Sequence, residues 1–143
     1  MKVEADSISE LFKKSGKYEE ILRAIDSVAS AIDSRITPKL YKMDSMNFVG
    51  YAPVKYIAND SFGGVWPSIS IAPQKNNANL YISAYRDNRN ILQDYSDKLG
   101  KVICTKSGCC RIKKLQDLNL ENLKIMLTDI VKYLSDNDKL VFD

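Results

Sequence analysis

The sequence predicts an α+β fold: one compact domain over residues 1–143, with an antiparallel sheet of about five strands packed against N-terminal and C-terminal helices. Three observations carry that class. Apolar residues recur at steps of three and four towards both ends of the chain but alternate singly in its middle, the periods of helix and strand respectively. The elements come as helices, then strands, then helices, without the regular alternation that builds a parallel sheet. Finally, 143 residues, 45% of them hydrophobic, can bury a core without help from a disulfide or a metal.

Taken in order, Ser7-Ile8-Ser9-Glu10 has the capping-box form ahead of Leu11 and Phe12, which predicts a short extra helix within residues 1–15, broken at Ser15-Gly16. Tyr18, Ile21, Leu22, Ile25, Val28, Ala29 and Ile32 then mark an amphipathic helix of about four turns. Thr37-Pro38 reads as a cap with proline at the first helical position, so a short helix with Leu40, Tyr41 and Met43 is expected next. Met46 to Ala58 is rich in β-branched and aromatic residues but interrupted by Gly50 and Pro53, which predicts two short strands with a kink, followed by a turn at Asn59–Gly64. Val65–Ala72 and Leu80–Tyr85 alternate on either side of the polar stretch Pro73–Asn79, a hairpin. Asp87 or Asn88 is expected to cap a helix carrying Ile91, Leu92, Tyr95 and Leu99, closed by Gly100. Cys109–Lys113 is the fifth strand, and Asn119 caps a last helix with Leu120, Leu123, Leu127, Ile130, Val131 and Leu134 on one stripe. The polar tail, 135–143, is expected to fray.

Composition removes several functions. Histidine is absent, which excludes imidazole-based triads and histidine-ligated zinc. No apolar run reaches the length of a membrane span, and the start, MKVEADSISE, is unlike a secretory leader. Gly63-Gly64 leads into a strand and not a helix, so it is no phosphate-binding loop. The net charge of +3 is small for a dedicated nucleic-acid binder, and the aromatic motif of RNA-binding sheets is missing, which argues against a specific nucleic-acid partner. Three cysteines, an odd number, point to free thiols in a reducing, cytoplasmic compartment.

What remains is a short set of candidates. Residues 98–116 hold Lys98, Lys101, Lys106, Arg111, Lys113 and Lys114 and no acid, either a solvated strand edge or an anion site. Cys104, Cys109 and Cys110 lack the paired spacing of a zinc site; they read as buried structural thiols, or as a thiolate favoured by the surrounding bases, with Cys109 the nucleophile. Trp66, Tyr81 and Tyr85 lie on adjacent strands, as core packing or as a stacking platform.

From Trp66 onward the chain resembles the YdhG-like family, domain of unknown function 1801. The likeness rests on Trp66, Pro73-Gln74-Lys75 with Asn77, Leu80-Tyr81-Ile82, Leu99-Gly100-Lys101, Cys109 with Ile112-Lys113-Lys114-Leu115, and Asp117-Leu118-Asn119-Leu120, and it extends over about residues 18–134. Where family members often read Gly-Lys-Ser-Cys, this chain has Lys106-Ser107-Gly108-Cys109, and Asn77 stands where many have histidine. The resemblance implies an antiparallel α+β domain. One branch of the family is proposed to act as a frataxin-like iron chaperone.

Three expectations follow. The first is a non-enzymatic binding domain for a small or anionic ligand, with Trp66, Lys75, Asn77, Tyr81, Lys101, Cys109 and Lys113 lining one pocket if the sheet brings them together. The second is metal handling, with iron held weakly by Glu19, Glu20, Asp26 and Asp33; no other cofactor is expected. The third is a protein-interaction module. Enzymatic use of Cys109, with Lys, Tyr or a carboxylate as base, ranks last.

Overall fold

The single alternation in the middle of the chain does become a sheet. A computed structural model describes residues 2–55 and 64–142. Strands β1 (Lys39–Lys42), β2 (Asn47–Lys55), β3 (Val65–Pro73) and β4 (Ala78–Ile82) form a meander; β5 (Tyr85–Arg86) and β6 (Arg89–Asn90) make a separate ribbon; β7 (Ile103–Cys104) and β8 (Cys109–Ile112) return to the sheet. The order is β1-β2-β3-β4-β8-β7, antiparallel throughout, so the sheet has six strands where about five were expected.

Register explains the core. Ile69 lies opposite Tyr51 and Ile82, and Ile71 opposite Val49 and Leu80, with Cys110 next in that row. All these side chains share one face, because side chains on a strand alternate. Helices α1 (Ile8–Lys13), α2 (Glu19–Ser30) and α3 (Leu120–Asp136) cover it with Leu11, Phe12, Ile21, Leu22, Ile25, Leu123, Met126, Leu127 and Ile130. Each such fully buried side chain contributes roughly 1.5–3 kcal/mol before the entropy of ordering it is counted. The other face keeps a small cluster of Tyr41, Phe48 and Ala72 with Met43, Met46, Trp66 and Tyr81; the Tyr41 and Phe48 rings stack at 5.1 Å. The caps hold as expected: Ser7 Oγ accepts from the Glu10 N–H at 3.1 Å, and Asn119 Oδ1 from the Asn122 N–H at 2.9 Å.

Four local expectations are corrected. Residues 39–42 are strand, not helix, because Lys39 to Lys42 pair with Gly50 to Asn47. Asn47 to Lys55 is one strand, not two; it stays paired with β3 through a left-handed residue at Ala52 (φ 52°). The rest of that segment and the turn at Asn59–Gly64 lie outside the described residues, Gly64 excepted. No α-helix follows Asp87: Asp87 and Asn88 take φ of 56° and 63°, the two-residue turn of a tight hairpin, and join β5 to β6. Only a 3₁₀ turn, Ile91–Asp94, survives of that helix, and its cap is Asn90, which accepts from the Leu92 N–H.

The fourth correction concerns the tail. Helix α3 ends in a Schellman motif: the Lys139 N–H reaches the Leu134 carbonyl at 2.9 Å and the Asp138 N–H the Ser135 carbonyl at 3.1 Å, with Asp138 left-handed at φ 55°. The chain then turns back. Leu140 bridges to Val54, and the Val141 N–H donates to the Pro53 carbonyl at 2.8 Å. The tail therefore lies along the outer edge of β2 just beyond the point where β1 stops, and Phe142 receives the Arg35 guanidinium at 4.3 Å. Among the described residues, no helix is long and apolar enough to cross a membrane.

Candidate functional site

The tail's return leaves a cavity of about 660 Å³ where the last turn of α3 runs off the end of the sheet. Its walls come from four places: Val54 and Lys55 at the end of β2, Trp66 at the start of β3, Ser83 to Tyr85 after β4, and Leu134, Asp138 and Lys139 from α3 and its cap. The volume falls within the range of small-molecule sites. Among the described residues most of the lining is apolar, with Trp66 and Tyr85 offering flat surfaces, while Lys55 and Lys139 bring two positive charges against the negative charge of Asp138. Among the described residues, neither lysine has a salt bridge; Lys139 Nζ lies 5.9 Å from the Tyr133 ring centre.

A polar network beside the cavity fixes the Tyr85 wall. Arg86, the next residue, donates to both oxygens of Asp129 on α3 at 3.1 and 3.0 Å and to Asp94 at 3.2 Å. Arg89 reaches Asp94 at 3.3 Å, and the Tyr95 hydroxyl donates to Asp129 at 2.6 Å. The hydrogen bonds from Arg86 and then Tyr95 hold the Asp129 carboxyl below the ordinary carboxylate value, against some burial. Burial first, and then the bond to Asp129, pushes the Tyr95 hydroxyl up to about 12. The ribbon β5–β6 is thereby clamped onto α3 by charge-assisted bonds.

A second, smaller and more polar cavity of about 410 Å³ lies between Gly100-Lys101 and Gln116 to Asn119. There Gly100 (φ 100°) comes so close to the Asp117 carbonyl that no Cβ would fit. Lys101 and Asp117 offset each other in its lining.

The ligand-binding candidates read from the sequence do not share one site. Lys75 and Asn77 lie in the turn between β3 and β4, and Lys113 directly follows Ile112, the partner of Ala78, so these three occupy the same end of the sheet. Trp66 sits seven residues from Pro73 along β3, roughly 23 Å away at the rise of a strand. Lys75 and Lys113 are exposed. Lys101 lines the smaller cavity, and Tyr81 and Cys109 pair with each other in mid-sheet, with the Tyr81 hydroxyl accepting from Asn79 at 2.9 Å. Only Trp66 reaches the large cavity, while its ring also lies 5.8 Å from Phe48. The single pocket is corrected for this reason: the strands carry Trp66 to one end and the lysine-bearing turns to the other.

The metal candidates are likewise spoken for separately. Glu19 pairs with Arg23 at 2.8 Å, and Asp33 with Arg35 at 2.7 Å, which lowers the Asp33 carboxyl to about 2. Asp26 accepts from the buried Tyr51 hydroxyl at 2.7 Å, and burial followed by that bond pushes the Tyr51 hydroxyl far up. Glu20 is exposed. Among the described residues, no three carboxylate or thiol side chains converge as a metal would require.

Sequence reasoning missed Val54, Lys55, Ser83, Ala84, Leu134, Asp138 and Lys139. No local pattern marks them, because they meet only once α3 is packed and the tail has turned back. Together, the fold and the site define an α+β domain with an end cavity that is apolar inside and cationic at its margin. No family model, curated protein or solved structure matches the chain.

Proposed function

We propose that this protein is a non-enzymatic binding domain for a small amphipathic anion, held in the cavity under the end of α3. The observation that carries the reading is the lining itself: apolar walls from Val54, Trp66, Ala84, Tyr85 and Leu134 with Lys55 and Lys139 alongside them. Such a site suits a molecule with an aromatic or short aliphatic body and a carboxylate or similar head. Burial of the body supplies affinity, and the two ammonium groups orient the head. The YdhG-like resemblance rests on the sequence alone and is not needed for this reading.

Trp66 is the only tryptophan in the chain and stands in the cavity wall, so the protein carries its own reporter. Titration with octanoate, benzoate and inorganic phosphate, followed by Trp66 emission, tests the proposal. The two carboxylates should shift the emission saturably and phosphate should not. A Lys55→Ala/Lys139→Ala double variant should bind on the order of tenfold more weakly, the loss expected of about 1.4 kcal/mol of charge-assisted contact. No saturable response to either carboxylate up to millimolar concentration would overturn it.

A further inference from the structure

The cavity makes no use of the three cysteines, and two of them are placed for chemistry of their own. Cys104 on β7 and Cys110 on β8 are direct cross-strand partners, with their sulfurs 3.3 Å apart. One step closer to the hairpin turn, the Thr105 N–H donates to the Cys109 carbonyl, which makes Thr105 and Cys109 the hydrogen-bonded pair. Antiparallel ladders alternate, so Cys104 and Cys110 occupy the non-hydrogen-bonded position, where Cα atoms approach to about 4.5 Å. That separation lies within the span a disulfide bridges, towards its short end. Cys109 cannot compete, because its side chain points to the opposite face of the sheet.

The two thiols are also unequal. Cys110 is fully buried, whereas Cys104 is half-buried on the outermost strand, next to Ile103, which is 58% exposed. The hydrogen bond between the two sulfurs holds the Cys104 thiol below its ordinary value and pushes Cys110 up. Burial pushes Cys109 up as well. Around them, residues 98–116 carry six bases and no acid. This is the arrangement of an attacking sulfur at the surface with a resolving sulfur beneath it.

We propose that Cys104 and Cys110 form a dithiol site that hydrogen peroxide oxidises to a cross-strand disulfide. In the first step the Cys104 thiolate attacks one peroxide oxygen. An S–O bond forms, the O–O bond breaks, and the leaving hydroxide takes up the thiol proton as water, leaving a sulfenic acid. In the second step the Cys110 sulfur attacks the Cys104 sulfur. The S–S bond forms, the S–O bond breaks, and the hydroxide leaves with the Cys110 proton as a second water. Two electrons pass from the sulfurs to the peroxide, and the edge strand β7 becomes covalently tied to β8.

The test uses hydrogen peroxide on the reduced Cys109→Ser protein, with thiols then alkylated under denaturing conditions and the chain cut by trypsin. Cleavage after Lys101, Lys106 and Arg111 separates Cys104 from Cys110, so the bond appears as peptide 102–106 linked to 107–111 with the loss of two hydrogens. Cys110→Ala, which keeps the site apolar, should stop at a sulfenic acid on Cys104 that dimedone captures. Before oxidation, iodoacetamide should label Cys104 on the order of tenfold faster than Cys110 in the folded protein. Two alkylatable thiols after peroxide, a bond between chains, or dimedone capture on Cys110 in a Cys104→Ser protein would each overturn the proposal. Binding in the large cavity can fail without touching this result.

Discussion

Two neighbouring stretches of this chain are held in different ways. From Asn47 to Ile82, excluding the undescribed link, three long strands pair register by register and bury Val49, Tyr51, Ile69, Ile71, Leu80 and Ile82 in a single face. From Ser83 to Gly108 the strands are only two residues long; Ala84, Ile91, Leu92 and Leu99 still reach the core, but a handful of polar side chains fix the backbone between them. Asn90 is the centre of this second stretch: it caps Ile91–Asp94 and donates to the Ile82 carbonyl at 2.8 Å. Gly108, left-handed at φ 106°, passes so close to Asn90 and Ile82 that a Cβ would collide with both. In the first stretch stability is spread over many apolar contacts. In the second it is concentrated, and one lost amide loosens a whole excursion. Both candidate sites border the concentrated stretch, with the Ser83–Tyr85 wall at its start and the cysteine hairpin at its end.

The sharpest test of the distributed side is Ile71→Ala. Removing a fully buried side chain from the central strand should cost about 2–5 kcal/mol in urea unfolding, with every probe reporting the same transition. Asn90→Ala should cost less, about 1–3 kcal/mol, because it strands buried carbonyl and amide groups without opening a large void. Its signature is local: amide exchange should quicken across 83–108 while the β2–β3–β4 amides keep their protection relative to global stability. Uniform loss of protection would erase the contrast between the two stretches.

The clamp on α3 comes next. Arg86, Asp94 and Asp129 are partly exposed, so Asp129→Asn should cost under about 1 kcal/mol at neutral pH. Its sign with pH is defined. The folded carboxyl sits below its ordinary value of 3.8, so its contribution is full above that value and disappears as pH falls through the lowered one. The denaturation midpoint of Asp129→Asn should therefore fall less steeply below pH 4 than that of the parent; an unchanged acid branch would show that Asp129 is not linked to folding in this way.

The smallest effect should be a gain. Asp138 occupies a left-handed position that glycine adopts freely, so Asp138→Gly should add roughly 0.5 kcal/mol. It also removes the only carboxylate among the described residues of the cavity lining, so octanoate should bind more tightly, not less. Weaker binding would mean that the Asp138 carboxylate helps to hold the ligand.

The same division governs what could be read in advance. Alternation at Val65–Ala72, the caps at Ser7 and Asn119, and the stripe of α3 are local signals that reappear, while the alternation at Leu80–Tyr85 holds as strand only to Ile82, and Tyr85 leaves the sheet for the separate ribbon. Leu40, Tyr41 and Met43 fit either period, and only pairing with β2 decides for strand. Asp87-Asn88 serves equally as helix cap and hairpin turn; the clamp to Asp129 and the demands of Asn90 select the turn. The cavity was not legible because its walls are up to about 85 residues apart in sequence and no local pattern connects them. The cysteines were visible as a cluster, but their partnership depends on strand register, which pairs Cys104 with Cys110 and leaves Cys109 on the other face.

The bridge between Val54 and Leu140 also sets an order of events during synthesis. Ribosomes add about 5–20 residues each second, so β2 leaves the tunnel several seconds before the segment that completes its outer edge. For that interval a nascent chain can hold β1 to β4 and still have no roof over Trp66. Closure of the cavity is thus deferred until α3 and its return have emerged, and a chain that stalls before Leu134 displays the sheet without it.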